Sequence, residues 1–561
     1  MKRIKTLLGI FLSVVVVAST FNGCNVGIKE DPNEEQIDNG RTQLYIAAPD
    51  DGWGMEGYYA LKDLFEEEYK DVSFENGKKG VQVCVDGDKM SYAGNTLINL
   101  LDSTQNEVFF SDMIAYHSYY DKFLDITDIV TESLEDVGEE GTIKGKMSGS
   151  QVDFYDIDGK FFALPHHFVY ESLNYNVELF DKNLLYFADN QNNGNEGFIR
   201  TPSEKKGPGP DGDYTTESDN GLPRTYDEFY RLCARMKKMN ISPWTMVAGR
   251  YPGYVSWMLA ALWADYEGAE QVSLRYTMNG TATNIIDKIN SDGTFTVKGN
   301  GNGYVINDNN AYELYQQAGS YYALQFLYEI ITKGYYAENT FNQSATHTSI
   351  QADFIYTGVV PGVEKIGILG EGAWWYAESK DTFATLSATY QNADRKSRKF
   401  RVMPLPKATE DQVGKKKTIV SSSDSVAFIK KNIAPEKLEL AKLFFKWCHT
   451  DRALQAYSMA CNNLKDFDYE FTTEQYNSLP MWTQSSYDYK RNADIVYAVS
   501  TNNIYKSHPA DFYIEDMWWS KVGNDTYRYP SQTMKDYGVN AKDYFLGMGN
   551  YYNSSFWSRY L

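Results

Sequence analysis

The sequence predicts an α/β protein with two lobes, on two observations. From residue 41 onward strand-like and helix-like pieces alternate, the mark of βαβ units built around a parallel sheet. At 561 residues the chain is also too long to organise about one small core. A third feature stays open at this level. The stretch FFALPHHFVYESLNYNVELF (161–180) runs apolar and aromatic residues into Pro165, then places His166, His167 and Glu171 ahead of another apolar pair. It reads as a buried strand, as a metal or catalytic site, or as a crossing between lobes.

Taken in order, RTQLYIAAP (41–49) is a short β run ended by proline. The next piece carries Tyr58, Leu61, Leu64, Phe65 and Tyr69 at helical spacing, with acids on the other face. GVQVCVDG is a second strand, NTLINLLDS a second helix and EVFFSDMIA a third strand. Residues 190–222 are dominated by Asn, Gly, Pro and charge, and predict a long, partly disordered loop or insertion. PRTYDEFYRLCARMKKM predicts a helix with Thr225 as N-cap and Glu228 at the capping-box position. WMLAALWADYEG is a further helix, and 275–310 is a second Gly/Asn-rich insertion. Residues 312–333 predict one long amphipathic helix closed by Gly334. KIGILGEGAWWYAES gives a strand, a turn and a helix start. FRVMPLP and SSSDSVAFIKK read as strands, and one or two helices follow from near Pro435.

The N-terminus reads as a targeting segment, residues 1–23. Lys2, Arg3 and Lys5 precede a twelve-residue apolar run, Leu7 to Ala18, short of the about 20 residues that span a bilayer. Phe21-Asn22-Gly23-Cys24 resembles a bacterial lipoprotein signal, which implies acylation of Cys24, although Phe21 and Asn22 stand where such signals usually have Leu and a small residue. Residues 24–40 are polar and acidic and predict a flexible tether. Removing residues 1–23 takes away three positive charges, so the formal net charge moves from −21 to −24. Such a body repels nucleic acid, which is bound through Lys and Arg. The four remaining cysteines are scattered and make no CxxC pair; they read as buried free thiols, the alternative being one disulfide, for which Cys448 and Cys461 are nearest in sequence. Tyr (45), Phe (29) and Trp (11) are abundant, and they supply flat apolar faces with a polar handle, of the kind on which sugars stack.

Six segments together carry a family resemblance. FFALPHHFVYESLNYNVELFDKNLL, LPRTYDEFYRLCARMKKMNISPW, KIGILGEGAWW, FRVMPLP, SSSDSVAFIKKNIAPEKLELAKLFFKWCHTDRALQAY and KDYFLGMGNYYNSSFWSRY occur in the order of the motifs of the extracellular solute-binding proteins of sugar-type ABC importers, the family of maltose-binding protein. The resemblance spans most of 41–561; the insertions at 190–222 and 275–310, and the region around 465–540, have no counterpart in it. It implies a periplasmic-binding-protein-like type II fold, two α/β lobes with a hinge and an interlobe ligand cleft. Lobe one would hold 41–163 and 425–475, and lobe two 166–420 and 476–561. FFALP would then be the first crossing strand.

On that frame the ligand site falls at strand-to-helix turns facing the cleft. The expected ligand-binding residues are Asp51 and Trp53 after the first strand, Tyr116 and His117 after the third, Tyr170 and Glu171 at the crossing, Trp257 after GRYPGY, Trp374 and Trp375 in the GAWW turn, and Asp424 in the return strand. The implied function is capture of a carbohydrate, an oligosaccharide, by a lipid-anchored monomer outside the cell, which delivers it to ABC permease subunits without cofactor, metal or catalysis. His167 and Glu171 are four apart, but zinc takes three or four ligands and His117 is the only other histidine nearby. The rival readings are a cell-surface glycoside hydrolase, which needs two carboxylates about 5–10 Å apart, and a non-catalytic adhesion or scaffold lipoprotein. GKKKT at 414–418 fails the P-loop pattern at Thr409 and Lys416, and 211–221 fails the EF-hand loop at Thr215 and Thr216.

Overall fold

The computed structural model describes residues 36–561 except 93, 113–114 and 423–424. The chain divides into a unit of residues 1–38 and a unit Asn39–Leu561. Of the first, residues 36–38 are described and carry no regular element, and the segment with Cys24 lies outside the described residues. The second unit carries the fold.

It is built on two main sheets. In the first, the order is Val81–Asp86, Thr42–Ala47, Val108–Ser111, Val426–Ile429 and Leu164–Pro165. Its first three strands run parallel, with Ile46 opposite Val108, and Val426–Ile429 returns antiparallel with Val426 opposite Ser111. TQLYIA is buried on both faces, apolar from Leu44 onward, because helices cover both sides of such a sheet. Helix Glu56–Glu68 buries Tyr58, Leu61 and Phe65 on one stripe, against Phe444 and Trp447 of helix Pro435–Trp447.

The second sheet has the order Phe400–Met403, Glu171–Asn176, Ile366–Gly372 and Ser242–Thr245. Its core includes helices Gly253–Glu267 and Ala318–Lys333, and Ala541–Tyr551 near the C-terminus. The segment 161–180 joins the two sheets: Leu164–Pro165 ends in the first and Glu171–Asn176 begins in the second. Between them the chain is pinned on both sides, His166 N–H to the Ser425 carbonyl at 3.0 Å and Phe168 N–H to the Leu464 carbonyl at 3.0 Å. Lys417–Ser421, which precedes Val426–Ile429 in the chain, pairs in parallel with Ala493–Tyr497 in a small sheet of its own.

Several expectations are corrected. The helix expected over 312–333 begins only at Ala318, after a 3₁₀ helix Ala311–Gln316. Gln317 between them is extended because its amide is spent in the core, accepting from Trp263 Nε1 and donating to the Gln271 carbonyl, both at 3.1 Å. Thr225 caps helix Tyr226–Lys238 as expected, but the Glu228 carboxylate reaches past the N-cap to Arg224, taking its N–H at 2.8 Å and its guanidinium at 2.7 Å. Residues 190–222 hold no helix or strand, yet they are tied down by buried Phe198, Ile199 and Leu222, with Phe198 stacked on Phe187. Residues 275–310 contain two strand pairs, Gly280–Ala282 with Tyr304–Ile306 and Ile286–Ile289 with Phe295–Val297. Cys233, Cys448 and Cys461 are buried free thiols, whereas Cys84 is half-exposed on the edge strand Val81–Asp86. Among the described residues no helix is long and apolar enough to cross a membrane.

Candidate functional site

The ends of strands from both sheets converge on one cavity of about 490 Å³, within the usual small-ligand range of about 300–1,000 Å³. Trp53 comes from the turn after Thr42–Ala47, Asp112 directly follows Val108–Ser111, and Trp374 follows Ile366–Gly372. Glu171 begins its strand, and Arg250 to Tyr254 with Trp257 form the entry and first turn of helix Gly253–Glu267. Tyr513, Glu515 and Tyr529, from the region that had no sequence counterpart, close the wall.

Trp374 is the hub of the aromatic wall. It meets Trp53 (centroids 5.8 Å apart), Tyr254 (6.0 Å) and Trp257 (6.4 Å), each edge to face. Gly372 makes this possible: a Cβ there would stand 2.1 Å from the Trp374 ring. Rings held at right angles present faces and edges together, the geometry that suits the C–H faces of a pyranose.

The polar groups have distinct environments. Burial, then the Asp112 charge, pushes the Asp51 carboxyl well above the carboxylate range. Burial works against ionising Asp112 too, but the neighbouring His167 and Asp51 outweigh it and bring Asp112 down to about 2. The two carboxyls are thus pushed in opposite directions, and Asp51 Oδ1 also accepts the Trp53 N–H at 3.1 Å. Glu171 is only 5% exposed, and neither carboxyl oxygen has a hydrogen-bond partner. Burial, then Glu371, raises it well above the usual range.

Of the sequence-predicted residues, Trp53, Glu171, Trp257 and Trp374 line this cavity, and Asp51 stands behind Trp53. Tyr116 does not: it is buried in the first core, its hydroxyl donating to the Tyr155 carbonyl at 2.8 Å. His117 packs edge-on against Phe154, and burial, then Lys506, brings it down to about 4. Tyr170 is buried behind the crossing, paired with the Ser486 hydroxyl at 2.7 Å. Trp375 is fully buried among Phe354, Phe400 and Trp482, because adjacent helix-start residues point to opposite sides. Asp424 lies outside the described residues. His166 and His167 are buried and bonded to the hydroxyls of Tyr58 and Tyr457, each at 2.7 Å.

Sequence reasoning missed Asp112, the Arg250–Tyr254 run, Tyr513 and Glu515. Asp112 had a signal, as the first polar residue after an apolar strand. Tyr513 and Glu515 had none, since they reach the cavity from distant sequence.

No family model matches the chain, and no curated protein matches it in sequence. Solved structures do. A chitin oligosaccharide binding protein aligns over 90% of this chain and 100% of its own at 14% identity, with a TM-score of 0.51. The maltose-bound MalE3 of T. maritima aligns over 91% and 99% at 12% identity, TM-score 0.51. The cyclic alpha-maltosyl-1,6-maltose binding protein from Arthrobacter globiformis aligns over 92% and 100% at 12% identity, TM-score 0.51. At such identities the likeness speaks to architecture. The chain has the two-lobed α/β fold of the maltose-binding type of solute-binding protein.

Proposed function

We propose that the protein is an extracellular solute-binding protein that captures a carbohydrate, an oligosaccharide, and hands it to the permease of an ABC importer. The observation that carries this is the Trp374-centred aromatic wall in a cavity lined by ends of strands from both sheets. A ligand touching both walls stabilises the closed arrangement through contacts the open one lacks, which is the only way it can drive closure. Lobe one is taken as 41–163 and 425–475 and lobe two as 166–420 and 476–561, and the monomer is held to the outer face of the membrane through a lipid on Cys24. The fold relatives are named as binding proteins, and the site is read as one that binds without catalysis.

The test is a melting-temperature survey of the protein against mono- and oligosaccharides. A ligand at 100 times its Kd adds about 2.7 kcal/mol, a shift of a degree or more in a protein of this size. A selective shift supports the reading; silence across the panel, or slow cleavage of a glycan, refutes it. Loss of labelling by a palmitate analogue in Cys24→Ser tests the anchor separately.

A further inference from the structure

Among the groups facing the cavity, Glu171 stands apart. Glu515 accepts from the Tyr529 hydroxyl at 2.9 Å and lies 3.6 Å from Arg528. Asp112 Oδ1 makes no hydrogen bond but lies 3.7 Å from His167 Nδ1. Arg250 lies over the Tyr251 ring, 5.4 Å from its centre. Glu171 has no such partner among the described residues: both oxygens are buried and unbonded, and what stands behind it is a second carboxyl, Glu371, fully buried. Glu371 takes only the Gly372 N–H at 3.2 Å and the Gln351 amide at 3.5 Å, and that same amide is held by Glu378 at 2.7 Å. Two buried carboxyls with no cation beside them resist ionising until a cation arrives to pair with one of them.

We infer that the carbohydrate captured here carries a free amine, an amino sugar whose ammonium is received by Glu171. A hydroxyl supplies a donor alone, whereas an ammonium supplies both donors and the charge that lets the buried Glu171 carboxyl ionise. The rest of the wall agrees. Trp53, Tyr254, Trp257 and Trp374 share the cavity with Glu171, and indole and phenol faces attract cations while stacking on sugar rings. The formal net charge of −21 gathers cations around the body. N-acetylation of the amine would abolish the charge and with it the preference.

The inference rests on the carbohydrate reading above, and one titration separates the two. At pH 7 the whole protein is titrated with β-linked glucosamine di- and trisaccharides, their N-acetylated counterparts, the matching glucose oligomers, and spermidine. The expected result is a Kd for the glucosamine oligomers at least tenfold below both counterparts, with the gap falling to under twofold in Glu171→Gln. Equal or tighter binding of the glucose or N-acetyl oligomers overturns the amine and leaves the carbohydrate reading standing. Binding of spermidine with no saccharide bound overturns both. The wild-type comparison decides the matter even if Glu171→Gln does not fold.

Discussion

Trp53 stacks on His167, ring centroids 4.2 Å apart and planes inclined by 18°. One ring lines the cavity and the other lies on the segment that joins the two sheets, so the wall and the connection share a contact. His167 is in turn held by the Tyr457 hydroxyl at 2.7 Å and by the Ser425 hydroxyl, which takes its backbone N–H at 3.1 Å. A displacement of the connection therefore carries Trp53 with it.

His167→Ala should weaken ligand binding although His167 does not line the cavity. Losing the stack frees the Trp53 ring, worth about 1 kcal/mol or roughly fivefold in Kd, and stranding the buried Tyr457 hydroxyl costs about 1–3 kcal/mol of stability. His167→Phe, which keeps a ring for Trp53, should restore most of the affinity but not the stability. Titration and urea unfolding of both variants read the two effects separately; equal affinity in both variants rules the coupling out.

The adjacent tryptophans should behave as opposites. Trp374→Ala removes the hub of the wall and should cost about fivefold or more in Kd, with little change in the urea midpoint, because its ring is only partly buried. Trp375→Ala empties a fully buried site and should cost about 3–5 kcal/mol. Gly372→Ala should mimic Trp374→Ala, since the added methyl occupies the place of the Trp374 ring.

How much of this was legible in the sequence differs from element to element. The strand runs were readable because both faces are covered, so LYIA and IGILG are unbroken runs of apolar residues and glycine. The Trp53 and Trp374 turns were readable because strand ends are where ligands meet such sheets. Which of two neighbours points inward was not. Trp374 and Trp375 are indistinguishable by type, and only the clearance at Gly372 selects between them. Tyr116 and His117 were chosen where Asp112 was closer to the strand end; Tyr116 opens a separate short helix, Tyr116–Tyr119, and its hydroxyl is spent on the Tyr155 carbonyl. Tyr513 and Glu515 are brought in by tertiary packing alone, with Glu515 fitted against Gly253.

Lys407 and Asp265 test the core of the second sheet. The ammonium meets both carboxylate oxygens, at 2.9 and 3.0 Å, with both side chains almost wholly buried. Burial raises the Asp265 carboxyl, and Lys407 pulls it back. Lys407→Met should cost about 3–5 kcal/mol by leaving a buried charge alone, while the double variant Asp265→Leu/Lys407→Met should recover most of it. A double-mutant cycle by urea unfolding measures this; additive losses would show the pair is not coupled.

Glu267 gives a pH test far from the cavity. Its carboxyl ends helix Gly253–Glu267, accepting the Gly319 N–H at 2.7 Å and the Asn284 amide at 2.5 Å. Burial raises it from 4.5 to about 8, against the pull of the Gly319 N–H. The folded protein thus holds a proton between about pH 4.5 and 8 that the unfolded chain has released. The contribution of Glu267 to stability should fall as pH rises through that window, by up to about 1.4 kcal/mol per pH unit for one proton. Glu267→Gln carries no such proton. The stability of the variant relative to the wild type should therefore climb steadily from pH 5 to pH 8 and level off above it. Urea midpoints at half-unit steps follow the difference, and a flat difference across the window would mean that Glu267 is ionised in the fold and held by its two donors alone.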